Sequence, residues 1–181
     1  MTKIRLELPN DYPAVHKVNR QAFGRTNEAD LVEVLRRNQA CISLVAEREG
    51  AIVGHILFSP VSIQPRGRRL FHRSAAETSR PPFRPMGLGP LAVLPAYQRQ
   101  GIGSELVRAG LDACRENGCG AVVVLGHPDF YPRFGFVPAR TFLLSCEYDV
   151  PDPVFMALEL HRGALGGAGG VVKYAPEFAG V

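Results

Sequence analysis

The chain has 181 residues, 46% of them hydrophobic, and carries a net charge of +4. A domain of about 150 residues buries roughly 70% of the surface that its unfolded chain exposes, so folding requires neither a metal nor a disulfide. The four cysteines lack zinc-binding spacing, and the longest aliphatic run, residues 121–125, is far shorter than the ~20 residues of a membrane helix. We therefore expect a single cytoplasmic domain over residues 1–181, with no metal and no membrane partner.

Hydrophobic spacing and turn signals divide the first part of the chain into five elements. These are a half-buried strand over residues 4–8, a helix capped by Asn10-Asp11, a helix starting at Asn27, and strands over 42–47 and 52–61 that a Glu49-Gly50 hairpin turn joins.

The positive charge is concentrated in the next segment, residues 65–85. Its six arginines and single acid, Glu77, give it a charge of +5, so the rest of the chain sums to −1. A basic segment of this kind suits an anionic partner, but it contains few aromatic residues and no nucleic-acid motif accompanies it. We interpret it as a loop inserted between two strands, and nucleic acid is a disfavoured partner.

The second half predicts further elements in an alternating order. They are a strand over 88–94, a helix over 101–117, a buried strand over 121–125, a short helical stretch over 129–134, and strands over 142–146 and 155–160. The Gly-rich composition of residues 163–170 indicates a flexible connector, with a tail to residue 181. Hairpins followed by a strand–helix–strand unit predict a mixed α/β fold, with a central mixed, twisted sheet flanked by helices.

Residues 98–104, Q-R-Q-G-I-G-S, lie between a predicted strand and a strongly amphipathic helix. Gly101 and Gly103 lack the Cβ atoms that would keep a ligand away from the backbone. The first turn of a helix offers unpaired N–H groups and a partial positive charge, which suit a pyrophosphate. A dinucleotide fingerprint would need glycine where Leu106 stands, and a Walker loop would need the absent dipeptide Gly-Lys. Tight helix–strand packing is the alternative explanation of the two glycines.

Two motifs together carry a family resemblance. Residues 91–107, L-A-V-L-P-A-Y-Q-R-Q-G-I-G-S-E-L-V, resemble the central motif of the GNAT superfamily of N-acetyltransferases, in which Q/R-x-x-G-x-G/A follows the fourth strand and opens the third helix. Residues 130–136, F-Y-P-R-F-G-F, resemble the Tyr-x-x-x-Gly-Phe element of that family. Stretches such as V-G-H-I-L-F-S-P-V are similar to a bacterial branch of predicted acetyltransferases. The resemblance implies the GNAT-like acyl-CoA N-acyltransferase fold.

The resemblance also implies acetyl-CoA as co-substrate, wedged between two splayed strands. The implied contacts to the pantetheine and the acetyl carbonyl come from backbone groups of Leu91, Ala92 and Val93. The implied pyrophosphate contacts come from backbone amides of Arg99, Gln100, Gly101, Ile102, Gly103 and Ser104. Pro90 supports this geometry independently, because a proline cannot donate to a strand ladder and therefore marks a bulge or an unpaired position.

The implied reaction is acetyl transfer to a primary amine by direct attack in a ternary complex. Tyr131 matches the general-acid tyrosine of the family, and an aromatic residue packed among phenylalanines is the alternative explanation. The general base stays open between Glu28, which borders the acceptor pocket in many relatives, His55, His127 and a water chain.

The implied function also leaves alternatives open. The acceptor is a small molecule or a protein amine, and a homodimer is compatible with the sequence. A non-catalytic acyl-CoA-binding or regulatory domain is the alternative function.

Overall fold

The computed structural model of the protein describes residues 1–38, 40–65, 84–167 and 169–180. Within these ranges the chain forms three α-helices and ten β-strands. The helices are α1 (Tyr12–Phe23), α2 (Asn27–Leu35) and α3 (Ile102–Glu116). The strands are β1 (Thr2–Leu6), β2 (Ile42–Arg48), β3 (Ala51–Pro60), β4 (Ser62–Pro65), β5 (Arg84–Val93), β6 (Cys119–Leu125), β7 (Val137–Pro138), β8 (Leu144–Cys146), β9 (Phe155–Glu159) and β10 (Gly170–Lys173).

Seven strands form the main sheet in the order β1-β2-β3-β5-β6-β9-β7. Strands β5 and β6 run parallel, joined by α3 as a crossover helix, and their neighbours in the sheet pair antiparallel. A smaller sheet has the order β4-β10-β8. The mixed α/β class expected from the sequence is therefore confirmed. The predicted basic insertion at 65–85 lies almost entirely outside the described residues.

The β2–β3 hairpin closes as its sequence predicts. Glu49 and Gly50 both adopt positive φ angles, 54° and 78°. Two consecutive left-handed residues match the twist of the flanking strands, and glycine adopts this conformation without strain. The hairpin fixes β2 against β3 at the centre of the sheet.

Helix α3 covers one face of the main sheet, which we call the α3 face. Its buried side is the one predicted from the spacing of apolar residues: Ile102, Leu106, Val107, Gly110, Leu111 and Cys114. Gly110 leaves room for the ring of Phe58, which a Cβ atom at this position would strike. The helix ends at Asn117 and Gly118, the latter with φ of 71°, as a glycine C-cap requires.

Helices α1 and α2 cover the opposite face, which we call the α1 face. Val15 and Val32 pack there against Val45 and Leu57 of the sheet. The segment 174–180 joins them, with Phe178 packed against this cluster. The main sheet is therefore covered on both faces, and none of the helices in the described ranges has the length and apolar character needed to cross a bilayer.

The Gly-rich region, predicted as a flexible connector, makes hydrogen bonds with the strand that precedes it. The carboxylate of Glu159 accepts hydrogen bonds from the backbone N–H groups of Gly163, at 3.1 Å, and Leu165, at 2.7 Å. Gly170 then begins β10, which lies between β4 and β8. Composition alone does not reveal β10, because its partner strands β4 and β8 come from other parts of the chain.

Candidate functional site

Strands β5 and β6, which lie at the centre of the main sheet, separate at their carboxyl ends. Their parallel pairing runs to Leu88 and Val124, the last paired residues in the described part of this ladder. Beyond that point β5 continues to Val93 and pairs with β3 alone. The register of the β3–β5 pair also shifts at this level, between Ile56 and Phe58. The interruption predicted from Pro90 is therefore present, and a gap opens between β5 and β6.

Backbone groups of β5 point into this gap. The N–H of Leu94 donates to the carbonyl of Val53 on β3, at 2.9 Å. Hydrogen-bonding direction alternates along an antiparallel strand, so the N–H and C=O groups of Leu91 and Val93 face away from β3. The side-chain amide of Gln98 accordingly reaches the carbonyl oxygen of Val93, at 3.0 Å.

Ala92 has the opposite orientation. It pairs with His55 across the β3–β5 ladder, so its backbone groups face β3. This geometry therefore does not support the expected backbone contact from Ala92. It does support the expected contacts from Leu91 and Val93.

The turn before α3 exposes a series of backbone amides. Arg99 and Gly101 adopt left-handed conformations, with φ of 59° and 90°. The N–H of Glu105 donates to the carbonyl of Gly101, at 3.0 Å, which makes it the first N–H of the helix with an intrahelical partner. The amides of residues 102–104 precede it and stay available at the positive end of the helix dipole.

Two glycines keep side chains away from the backbone of this turn. A Cβ atom at Gly103 would lie 3.8 Å from Phe130 Cζ, 3.9 Å from Val93 Cγ2 and 4.0 Å from Leu91 Cδ2. At Gly101 nothing lies within 4 Å of the corresponding position. The two glycines thus leave a cradle that a side chain would fill, at the mouth of the gap between β5 and β6. The donor set there, bare N–H groups at a helix start, suits a pyrophosphate.

Tyr131 lies on the β6 side of the gap. The residue is 6% exposed, and its ring makes edge contacts with Phe130 and Phe136, at centroid distances of 5.0 and 5.6 Å. The ring packs over Gly126, where a Cβ atom would lie 2.8 Å from Cδ2, 3.1 Å from Cζ and closer still to Cε2 of Tyr131. Burial raises the pKa of Tyr131 to about 12. The hydroxyl therefore keeps its proton at neutral pH.

Glu28 lies in the first turn of α2 on the α1 face, and its residue is 4% exposed. Its carboxylate is held by Arg25, whose Nε lies 3.0 and 3.1 Å from the two carboxylate oxygens and whose Nη2 contacts Oε1. The i,i+3 spacing of the two residues was the available signal for this ion pair. The carboxylate expected to border the acceptor is thus engaged by a cation.

His55 is a buried structural residue, 0% exposed. The amide nitrogen of Asn19 donates to Nδ1, at 3.1 Å, so Nε2 carries the proton and donates to Ser43 Oγ, at 2.9 Å. Burial, with a smaller effect from Arg36, lowers the pKa of His55 to about 3. Both ring nitrogens are occupied, which removes His55 from the residues facing the gap.

His127 contributes through its backbone. Its carbonyl oxygen accepts hydrogen bonds from the N–H groups of Phe130, at 3.0 Å, and Tyr131, at 3.5 Å. The turn over residues 127–131 thereby brings Tyr131 back over the end of β6. The sequence His-Pro-Asp at residues 127–129 is itself typical of a turn, so it carried a local signal for this role.

The α1 face of β5 is covered by a segment that sequence reasoning did not connect with the site. A Cβ atom at Gly87 would lie 2.8 Å from the ring of Tyr174, and one at Gly89 would lie 3.8 Å from Phe178. The Tyr174 hydroxyl is buried without a hydrogen-bond partner in the described ranges, and burial raises its pKa well above the usual value. No local sequence signal links residue 174 to strand β5.

Metal ligands do not converge at the gap. In the described part of the chain, no cluster of three or more His, Cys, Asp or Glu side chains is arranged to hold a metal ion.

Comparisons with known proteins find relatives over nearly the whole chain. The sequence model described as the acetyltransferase (GNAT) family matches residues 12–136. The chain is 36% identical to the uncharacterized N-acetyltransferase YhbS of Escherichia coli strain K12 over 177 residues, which are 97% of each protein. A crystal structure of Escherichia coli YhbS in complex with CoA matches with 35% identity and a TM-score of 0.83, covering 98% of this chain and 92% of that one. A GNAT family acetyltransferase from Brucella melitensis, crystallised in complex with acetyl-CoA, matches with 32% identity, a TM-score of 0.74 and 98% coverage of each chain.

Proposed function

The chain belongs to the GNAT acetyltransferase family, and on that premise we propose that this acetyl-CoA-dependent N-acetyltransferase acts on a primary amine by direct attack in a ternary complex. One observation carries the proposal: β5 parts from β6 directly beside the glycine turn that opens α3. A ligand with a phosphate end and an extended arm can rest its phosphates on the turn and lay its arm in the gap.

The residues that would hold acetyl-CoA surround this opening. The amides of residues 99–104 would bind the pyrophosphate, in the cradle that Gly101 and Gly103 leave free. The outward-facing backbone groups of Leu91 and Val93 would pair with the pantetheine arm in place of a neighbouring strand. Acetyl-CoA supplies an activated thioester, so the protein needs no nucleophile of its own.

Two groups would assist the reaction. The N–H of Val93 faces the gap and can donate to a carbonyl oxygen there, which stabilises negative charge that develops on that oxygen. The Tyr131 hydroxyl is protonated at neutral pH and can give its proton to the leaving sulfur. A positioned acid of this kind contributes ~10²–10⁴ in rate.

The amine must lose its proton before it attacks. Glu28 is held by Arg25, and His55 uses both ring nitrogens within the fold. In this proposal water therefore accepts the proton of the amine. Glu28, an anion in the first turn of α2, acts electrostatically on the acceptor side. The acceptor is a small-molecule or protein amine. No feature that the described residues give the gap favours one of these two classes over the other.

A screen of primary amines that follows release of the free CoA thiol tests the proposal. We expect at least one amine to release thiol, and we expect Tyr131→Phe to lower kcat by ~10²–10⁴ while the Kd for acetyl-CoA stays within about twofold. Tyr12→Phe, on α1 and away from the gap, is the control and should leave both unchanged. An unaltered rate in Tyr131→Phe would remove this residue from the mechanism. Tight binding of acetyl-CoA without thiol release for any amine would favour the non-catalytic alternative.

A further inference from the structure

Two arginines converge on one aromatic ring beside the glycine turn. The guanidinium carbon of Arg108, on α3, lies 5.4 Å from the centroid of the Phe134 ring. That of Arg133 lies 5.8 Å from the same centroid and 4.5 Å from the Phe130 ring. Two cations gathered at one ring create a region of strongly positive electrostatic potential on the surface.

Neither cation is neutralised by the described residues. Both arginines are exposed, and no carboxylate within the described ranges forms an ion pair with either of them. The contrast lies on the same helix, where Arg115 pairs with Asp112 at 2.6 Å. The Nε of Arg133 donates to the carbonyl of Phe130, at 3.1 Å, which fixes its fork and leaves its Nη groups for another acceptor.

The pair lies beside the mouth of the gap. Phe130, which carries Arg133 on its ring, is the residue whose Cζ faces Gly103. Arg108 follows Ser104 by one helical turn on the same side of α3, and helical side chains lean toward the N-terminus. Both guanidinium groups are therefore linked to the turn through the rings of Phe130 and Phe134, whose centroids are 5.2 Å apart.

We infer that Arg108 and Arg133 form a subsite for the 3′-phosphate of CoA, so that the protein discriminates CoA from its 3′-dephospho form. The inference rests on the proposed binding of acetyl-CoA at the glycine turn. The 3′-phosphate is separated from the pyrophosphate by a single ribose, and it is a dianion with several acceptor oxygens. Arginine forks match such a group in geometry and charge, and a charged hydrogen bond to it is stronger than a neutral one.

Calorimetric titration of CoA and 3′-dephospho-CoA into four proteins tests the inference: the wild type, Arg108→Gln, Arg133→Gln and the double variant. We expect the wild type to bind CoA about 10–100-fold more tightly than dephospho-CoA, since one or two charged contacts of this strength separate the ligands. Each single variant should weaken CoA by about tenfold and leave dephospho-CoA within about twofold of the wild type. The double variant should bind the two ligands equally.

Arg115→Gln, which removes a paired arginine from α3, is the matched control and should keep the full discrimination. Unchanged dephospho-CoA affinity also shows that each variant is folded. Equal binding of the two ligands by the wild type overturns the inference and leaves the glycine cradle intact. Discrimination that survives in the double variant overturns it too, because the phosphate is then held elsewhere. Failure of the wild type to bind either ligand contradicts the proposed function itself, and the subsite with it.

Discussion

A small and a large substitution at Gly103, Gly103→Ala and Gly103→Leu, separate the stability of the fold from the affinity of the site. The methyl group that alanine adds would meet Phe130, Val93 and Leu91 at 3.8–4.0 Å, which is ordinary van der Waals contact, so the free protein accommodates it. Gly103 also lies within helix α3 rather than in a left-handed turn. Replacement of glycine by alanine in such a conformation stabilises a protein by roughly 0.4–1 kcal/mol, mainly because the unfolded chain loses freedom.

A longer side chain, as in Gly103→Leu, extends beyond the methyl group into the cradle in which a pyrophosphate would approach the backbone. Loss of one charged hydrogen bond there costs about 1.5–3 kcal/mol, and 1.4 kcal/mol corresponds to a tenfold change in Kd. We therefore expect Gly103→Leu to weaken acetyl-CoA binding by about 10–100-fold. Gly103→Ala, which the family motif allows, should leave the Kd within about twofold while the free energy of unfolding rises, so loss of the glycine alone cannot account for the effect of leucine.

Guanidinium unfolding measures the first effect, and calorimetry with acetyl-CoA measures the second. Gly180→Ala is the matched control, because nothing lies within 4 Å of its added methyl group and it is far from the glycine turn in sequence. It should leave the Kd unchanged. An unaltered Kd in Gly103→Leu would refute the cradle, because a ligand that tolerates this side chain does not approach the backbone at that residue.

Three further predictions concern groups with perturbed protonation or unpaired hydroxyls. Because burial raises the pKa of Tyr131 to about 12, the general acid stays protonated through pH 10, and a kcat profile should show no loss from this residue between pH 8 and pH 10; a basic limb in that range that disappears in Tyr131→Phe would contradict the assignment. The pKa of His55 is lowered from 6.5 to about 3, so its contribution to stability is complete above pH 6.5 and falls by about 1.4 kcal/mol per pH unit as the pH drops toward 3. Unfolding curves of the wild type and His55→Gln should differ by that slope, and parallel curves would show that His55 titrates normally in the fold. Tyr174→Phe removes a buried hydroxyl without a partner in the described ranges, so it should raise the free energy of unfolding by about 1–2 kcal/mol; a loss of stability in guanidinium would mean that the hydroxyl is hydrogen-bonded in solution.

Local sequence patterns predicted much of the fold and the glycine turn before α3. The buried side of α3 follows from apolar residues at helical spacing, and the glycine turn follows from two glycines between a strand and a helix. These features depend on neighbours within a few residues. The family recognised from residues 91–107 and 130–136 is confirmed by the match over residues 12–136.

The remaining features depend on contacts between distant parts of the chain. His55 is held by Asn19, 36 residues away, and no window around His55 reveals that partner. Strand β10 was missed because its order comes from pairing with β4 and β8 rather than from its own Gly-rich surroundings. Tyr174 covers Gly87 across an even longer stretch of sequence. The roles assigned to Glu28 and Tyr131 stay predictions.

The absence of a side chain at Gly126 restricts which residues can replace it during evolution of the family. The Tyr131 ring occupies the volume that any larger residue at position 126 would need. The two positions are therefore expected to covary among homologues: lineages that retain the buried tyrosine keep a glycine five residues earlier, and lineages that acquire a side chain there must relocate the ring or replace it. Mutational drift at one position is thereby constrained by the residue present at the other.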